Sequence, residues 1–157
     1  MREVVAHLTM PYRTPRRRVL AGLVRARFDF NAYADRAARA DAANLSDTAL
    51  LQSLRANIRH PWRPPGGGPA GALSHDVIHG LDITEPLGLP PCPPERIALV
   101  LRHTGVERAR YFGVDLRGRR LIATDAEAHL GEGTRIHPPV HLPARDILLI
   151  ATGRKPL

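Results

Sequence analysis

Apolar residues recur at helical spacing over most of the chain and at strand spacing only near its end. In M-R-E-V-V-A-H-L-T-M, residues 1–10, Val4, His7 and Leu8 share one face and Arg2 and Glu3 lie off it, which predicts a first helix. From Pro15 to about Ala43 the pattern predicts one long helix. Leu20, Val24 and Phe28 recur every fourth residue there, and Arg17, Arg18 and Arg25 face elsewhere. Ser46 is a good N-cap for a third helix with Asp47 in its first turn and Leu50, Leu54 and Ile58 as its stripe. His60-Pro61 ends it, because proline cannot continue the hydrogen-bond ladder.

W-R-P-P-G-G-G-P-A-G, residues 62–71, lacks the G-K-[ST] and the preceding strand of a phosphate loop, so it reads as an irregular crossover. Pro69 to Ile83 then predicts a fourth helix, closed by Pro86 and Gly88, and residues 89–94 (L-P-P-C-P-P) a rigid connection. Pro94 and Glu95 suit the first turn of a fifth helix, whose stripe is Ile97, Leu101, Thr104 and Tyr111. After Gly113 the character changes. Residues 119–124 (R-R-L-I-A-T) suit a strand, Gly131 and Gly133 punctuate a hairpin returning through Thr134 to Ile136, and Pro143 opens a short last helix ending at Gly153. The expected organisation is a helical bundle over 1–113 and a small strand-hairpin-helix segment over 114–157, mainly α with a small α/β tail.

Composition refines this picture. The 157 residues suffice for a sizeable core, and with aromatics at only 4% that core must come from Leu, Val, Ile and Ala. The formal charge of +8 is carried almost wholly by arginine, Lys155 being the only lysine. Such a balance suits a nucleic-acid partner or an anionic substrate, and equally the plain output of a GC-rich genome. Cys92 stands alone, which excludes an intrachain disulfide or a cysteine zinc site. No apolar run reaches membrane-spanning length and no signal-peptide pattern opens the chain, so the expectation is a cytoplasmic protein without a membrane partner.

The chemistry lies in the histidines. In S-H-D-V-I-H-G-L-D-I, residues 74–83, His75 and His79 stand four apart on a predicted helix. Their Cβ atoms are then about 6 Å apart, close enough for both imidazoles to meet one ion. Eight histidines make one such pair unremarkable by chance, and His137 and His141 show it: H-P-P-V-H has the same spacing but cannot be helical, and reads as surface loop. His7, on the apolar side of the first helix, is either a hydrogen-bonded core histidine or a third ligand. Three histidines on helices would make a facial ligand set that leaves a position open for water or substrate.

R-E-V-V-A-H-L, followed much later by R-P-P-G-G-G-P-A-G-A-L-S-H-D-V-I-H-G-L-D-I, resembles the DinB-like superfamily, and within it the mycothiol-dependent maleylpyruvate isomerase family of actinobacteria. The tail, R-R-L-I-A-T-D and P-A-R-D-I-L-L-I-A-T-G-R-K-P, is similar to the same group. The resemblance implies a four-helix bundle holding a metal through a V-x-x-H-L histidine and two residues four apart on a later helix. It carries those roles to His7, His75 and His79. Where the isomerases place a carboxylate first in the later pair, this chain has His75, nearer the three-histidine pattern of general DinB proteins. The resemblance implies a divalent ion, with zinc expected and nickel or iron also suited to imidazoles. It also implies mycothiol or a similar small thiol, adding to an electrophilic or unsaturated small-molecule substrate in a transferase or isomerase reaction. The family's usual long first helix has no counterpart here. That would leave an N-terminally short bundle with an exposed apolar groove, a condition met by a homodimer covering it or by instability.

Asp82, three residues beyond His79, reads either as the acceptor that sets a ligand imidazole's tautomer or as a solvent-facing acid. Asp76 reads as solvent-facing. Arg59 and Arg63 flank the glycine loop and read as a bidentate clamp for a substrate carboxylate or as solvated side chains. Two other functions remain open: a basic nucleic-acid binder, on P-R-R-R at 15–18 with Arg25 and Arg27, and a non-catalytic metal-binding or structural bundle.

Overall fold

A computed structural model describes residues 1–64, 66–133 and 137–157. The protein is mainly helical with a small C-terminal sheet, and it falls into two units, Met1–Arg63 and Pro64–Leu157, each with a core of its own. The boundary expected at Gly113 falls inside the second unit.

The first unit contains α1 (Arg2–Arg13), α2 (Arg16–Arg25), α3 (Phe30–Asn44) and α4 (Asp47–Ala56). The single helix expected from Pro15 to Ala43 is in fact two. Arg27 and Phe28 take left-handed backbone angles (φ 52° and 64°), the Phe28 amide donates back to the Leu23 carbonyl, and Asp29 starts α3 by accepting from the Ala32 amide at 3.0 Å. The expected stripe of Leu20, Val24 and Phe28 faces out instead of in, at 60%, 56% and 71% exposure. The face of α2 that packs carries Val19, Leu23 and Ala26, beside Met10, Tyr33 and Ala34. Alanines dominate this core. Ala34, Ala38 and Ala42 line α3, and Ala6 and Leu50 meet Ala42. Small side chains let helices approach closely but bury little area each, so the packing contributes modestly per residue. Ser46 caps α4 as expected, accepting from the Ala49 amide at 3.1 Å. That helix stops at Ala56, which leaves Ile58 beyond its end and 76% exposed, not in the stripe.

The second unit contains α5 (Gly68–Leu87), α6 (Pro94–Tyr111), strands β1 (Leu121–Ala123), β2 (His129–Leu130) and β3 (Val140–Leu142), and α7 (Ala144–Ala151). Helix α5 runs past the expected end at Ile83 and carries Pro86 within its last turn. It closes at Gly88, whose left-handed φ of 62° lets the Leu89 amide reach the Thr84 carbonyl. Gly105 (φ 60°, ψ 169°) interrupts α6. The kink re-phases the helix: Ile97, Leu101 and Thr104 are buried as the stripe requires, but Tyr111 turns out to 63% exposure. The sheet order is β2-β1-β3, antiparallel between β1 and β2 and parallel between β1 and β3. The hairpin therefore returns at His129–Leu130, and the return expected at Thr134–Ile136 lies outside the described residues. His141, expected in a loop, stands on the exposed side of β3 opposite Ile122, and His137 lies in a bend.

The core of this unit joins Val77, Ile78 and Leu81 of α5, Ile97, Val100 and Leu101 of α6, Leu121 and Leu130 of the hairpin, and Ile147 to Ile150 of α7. Each large aliphatic side chain removed from water there contributes roughly 1.5–3 kcal/mol before entropy is counted. Buried hydroxyls stay local: Thr104 donates to the Val100 carbonyl at 2.8 Å and Thr152 to the Leu148 carbonyl at 2.7 Å. Asp125, in the turn after β1, accepts from the Ala144 amide at 2.7 Å and so caps α7 from outside the helix. No helix among the described residues is long and apolar enough to cross a membrane.

Two substitutions check this account by urea denaturation. Leu121→Ala, at a fully buried position, is expected to lower stability by about 3 kcal/mol. Asp125→Ala, which strips the cap, is expected to cost about 1 kcal/mol, with Asp125→Asn close to wild type. Equal losses for Asp125→Ala and Asp125→Asn would show that the carboxylate acts through its charge and not as a cap.

Candidate metal centre

Helix α5 sets the geometry of the histidine pair. Its buried residues Gly71, Ser74, Val77, Ile78 and Leu81 define one face, which holds the helix against the core. His75 and His79 lie beside that face, half-buried, with side-chain exposures of 15% and 23%. One helical turn separates them, and their imidazole centroids are 4.9 Å apart at an interplanar angle of 74°. The rings are crossed edge to face and do not stack.

Each ring is held from behind by a carboxylate. Nδ1 of His79 lies 2.8 Å from Oδ2 of Asp82, and Nδ1 of His75 lies 3.1 Å from Oδ1 of Asp76. An ionised carboxylate can only accept, so the hydrogen of each bond belongs to Nδ1, and a neutral ring then offers its Nε2 lone pair to an ion. The two partners differ in strength. Asp76 is exposed, as expected, while Asp82 is about four-fifths covered. Of the two readings of Asp82, the solvent-facing acid is the one its geometry overturns.

Arg154, 72 residues away in sequence, completes the arrangement. Its Nε donates to Oδ1 of Asp82 at 2.5 Å and its Nη2 to Oδ2 at 2.8 Å, a bidentate fork that leaves Asp82 one orientation. Burial by itself would raise the Asp82 carboxyl, but the hydrogen bonds from Arg154 and His79 outweigh it and hold it well below the usual carboxylate range. Arg154 is itself oriented by α7. Gly153 takes a left-handed φ of 70° at the helix end, and the Arg154 amide donates to the Leu149 carbonyl at 2.8 Å. Sequence reading missed Arg154, because nothing in A-T-G-R-K-P marks one basic residue for a partner so far away.

His7 belongs to the first unit, half-buried on α1 between the buried Ala6 and Leu8. Arginines clamp that helix at both ends. Arg2 bonds the Ala42 and Leu45 carbonyls at 2.8 and 2.7 Å and pairs with Asp47, and Arg13 pairs with Asp41 at 2.8 Å. Pro11 interrupts the ladder one turn after His7. His7, the third expected ligand, thus stands on a different unit from His75 and His79. Arg59 and Arg63, read either as an anion clamp or as solvated side chains, are both exposed. Cys92 is half-buried, and burial pushes its thiol up, so it is a poor nucleophile.

No family model, curated protein or solved structure matches this chain.

The carboxylate relay makes a graded prediction for Zn²⁺ affinity, read by competition with a chromogenic chelator. Asp82→Ala and Arg154→Ala should each weaken binding roughly 10–100-fold, and Asp76→Ala, at the exposed partner, by less. Equal affinities in wild type and Arg154→Ala would show that the fork serves only to tie the tail to α5.

Proposed function

We propose that this protein binds a divalent metal ion through His7, His75 and His79, and that it uses the ion in a small-thiol-dependent transferase or isomerase reaction. The observation that carries the reading is the histidine pair on α5, with crossed rings 4.9 Å apart and His79 oriented by the Asp82–Arg154 fork. Imidazoles whose Nδ1 atoms face carboxylates are the arrangement that metal-ligating histidines adopt, since the carboxylate raises ligand basicity and fixes the ring.

The donor set suits the ion. Three neutral nitrogen ligands match zinc, and nickel or iron as well. When bound, such an ion lowers the pKa of a thiol or water at its open position. Everything else falls to the chain. His75 and His79 supply two ligands from one rigid helix, and His7 is the proposed third. Asp82 keeps the His79 proton on Nδ1, and Arg154 keeps Asp82 from rotating away. The high covering of Asp82 also keeps water from competing for its hydrogen bonds. With Cys92 unsuited to nucleophilic work, the reacting thiol would be an external one, in keeping with the sequence resemblance to mycothiol-dependent isomerases. The substrate class is a small electrophilic or unsaturated molecule.

Metal content by elemental analysis tests the first half. Near-stoichiometric metal is expected in the wild type and loss of it in His75→Ala and His7→Ala. A folded wild type that neither carries nor takes up Zn²⁺, Ni²⁺ or Fe²⁺ would remove the enzyme reading. If metal is present, a screen of electrophiles with mycothiol against thiol-free controls tests the second half.

A further inference from the structure

We propose that α2 and the turn after it form a peripheral docking surface for an anionic lipid bilayer. The helix buries none of its residues completely. Val19, Leu23 and Ala26 pack inward, and Gly22 lies so close to Tyr33 that a Cβ there would meet the ring at 2.3 Å, so this inner face is committed to its own unit. The opposite face has no role in that core. It presents Leu20 and Val24 one turn apart, and the chain continues into Phe28 and Phe30, exposed by 71% and 45%. Arg16, Arg17, Arg18, Arg25 and Arg27 are all exposed in the same stretch. Between Pro15 and Phe30 the only acid is Asp29, which is occupied in capping α3.

Leu20 and Val24 one turn apart on α2, followed by exposed Phe28 in the turn and bordered by arginines, suit an interface where acyl chains take the Leu, Val and Phe side chains and anionic headgroups meet the guanidinium groups. That no helix among the described residues could cross a membrane does not bear on this, because α2 would lie on the bilayer and not cross it. Two other occupants fit less well. A second copy pairing through this face about a two-fold axis would bring the same arginines opposite one another. A nucleic acid would engage the arginines and could stack on Phe28 and Phe30, but it would leave Leu20 and Val24 in water.

Co-sedimentation of the full chain with vesicles of phosphatidylcholine alone and of phosphatidylcholine with phosphatidylglycerol is the test. Binding is expected only to the anionic vesicles. It should fall about fivefold for each charge removed in Arg17→Gln and Arg18→Gln. It should fall on the order of tenfold for Leu20→Ser and Val24→Ser. These positions are exposed, so circular dichroism should show the variants folded. As an independent readout, Phe28→Trp should give a blue-shifted emission on anionic vesicles that the wild type, with Trp62 alone, does not. Failure of the folded wild type to bind anionic vesicles would overturn the proposal. So would binding indifferent to Leu20→Ser and Val24→Ser, or dimerisation abolished by Leu20→Asp in a chain that ignores vesicles. Salt-sensitive oligonucleotide binding without vesicle binding would overturn it in favour of nucleic acid.

Discussion

A carboxylate placed largely out of water must have partners, and the second unit depends on how Asp82 finds them. One oxygen takes the Arg154 Nε; the other takes both the Arg154 Nη2 and the His79 Nδ1. The single group thereby joins the middle of α5, the end of α7 and the ring of a candidate ligand. Desolvation makes the loss of any partner costly, so the arrangement is held as a set and not as separate contacts. The α7 helix contributes through its position alone: its buried face packs into the aliphatic core, and Gly153 turns the chain so that Arg154 arrives at the fork.

The first unit is built on another economy. Its core is largely alanine, which brings α1 and α3 close but leaves little apolar area for further helices. Arginine clamps on α1 supply what the small side chains do not, tying the helix to the Ala42 and Leu45 carbonyls and to Asp41. Helix α2, packed through one narrow face, is left with large aliphatic side chains in solvent, where monomeric proteins seldom keep them grouped. Its exposed stripe, like Ile58 and Tyr111, departs from an ordinary inside-outside division.

Much of this was legible in the amino-acid sequence. Helical spacing alone determined that the chain is mainly helical, that Ser46 starts α4, that Gly153 ends α7, and that His75 and His79 share a helical turn. Those conclusions depend on local stereochemistry, in which the backbone period and the capping groups act within a few residues. Other features depended on distant partners. The stripe of Leu20, Val24 and Phe28 has a core-facing period, yet Gly22 offers the Tyr33 ring the closer approach, so the opposite face packs. Tyr111 continues a stripe in register until Gly105 takes a backbone angle that re-phases the helix. The Asp82 side chain was assignable to two roles because its environment includes Arg154, and no local pattern links residues 72 positions apart. The sequence by itself determined that the chain is mainly helical and which imidazoles sit one turn apart. Only the tertiary structure decided which face of each helix is inside and which carboxylate holds a ring, because burial and ion pairing are set by neighbours that the chain brings together only on folding.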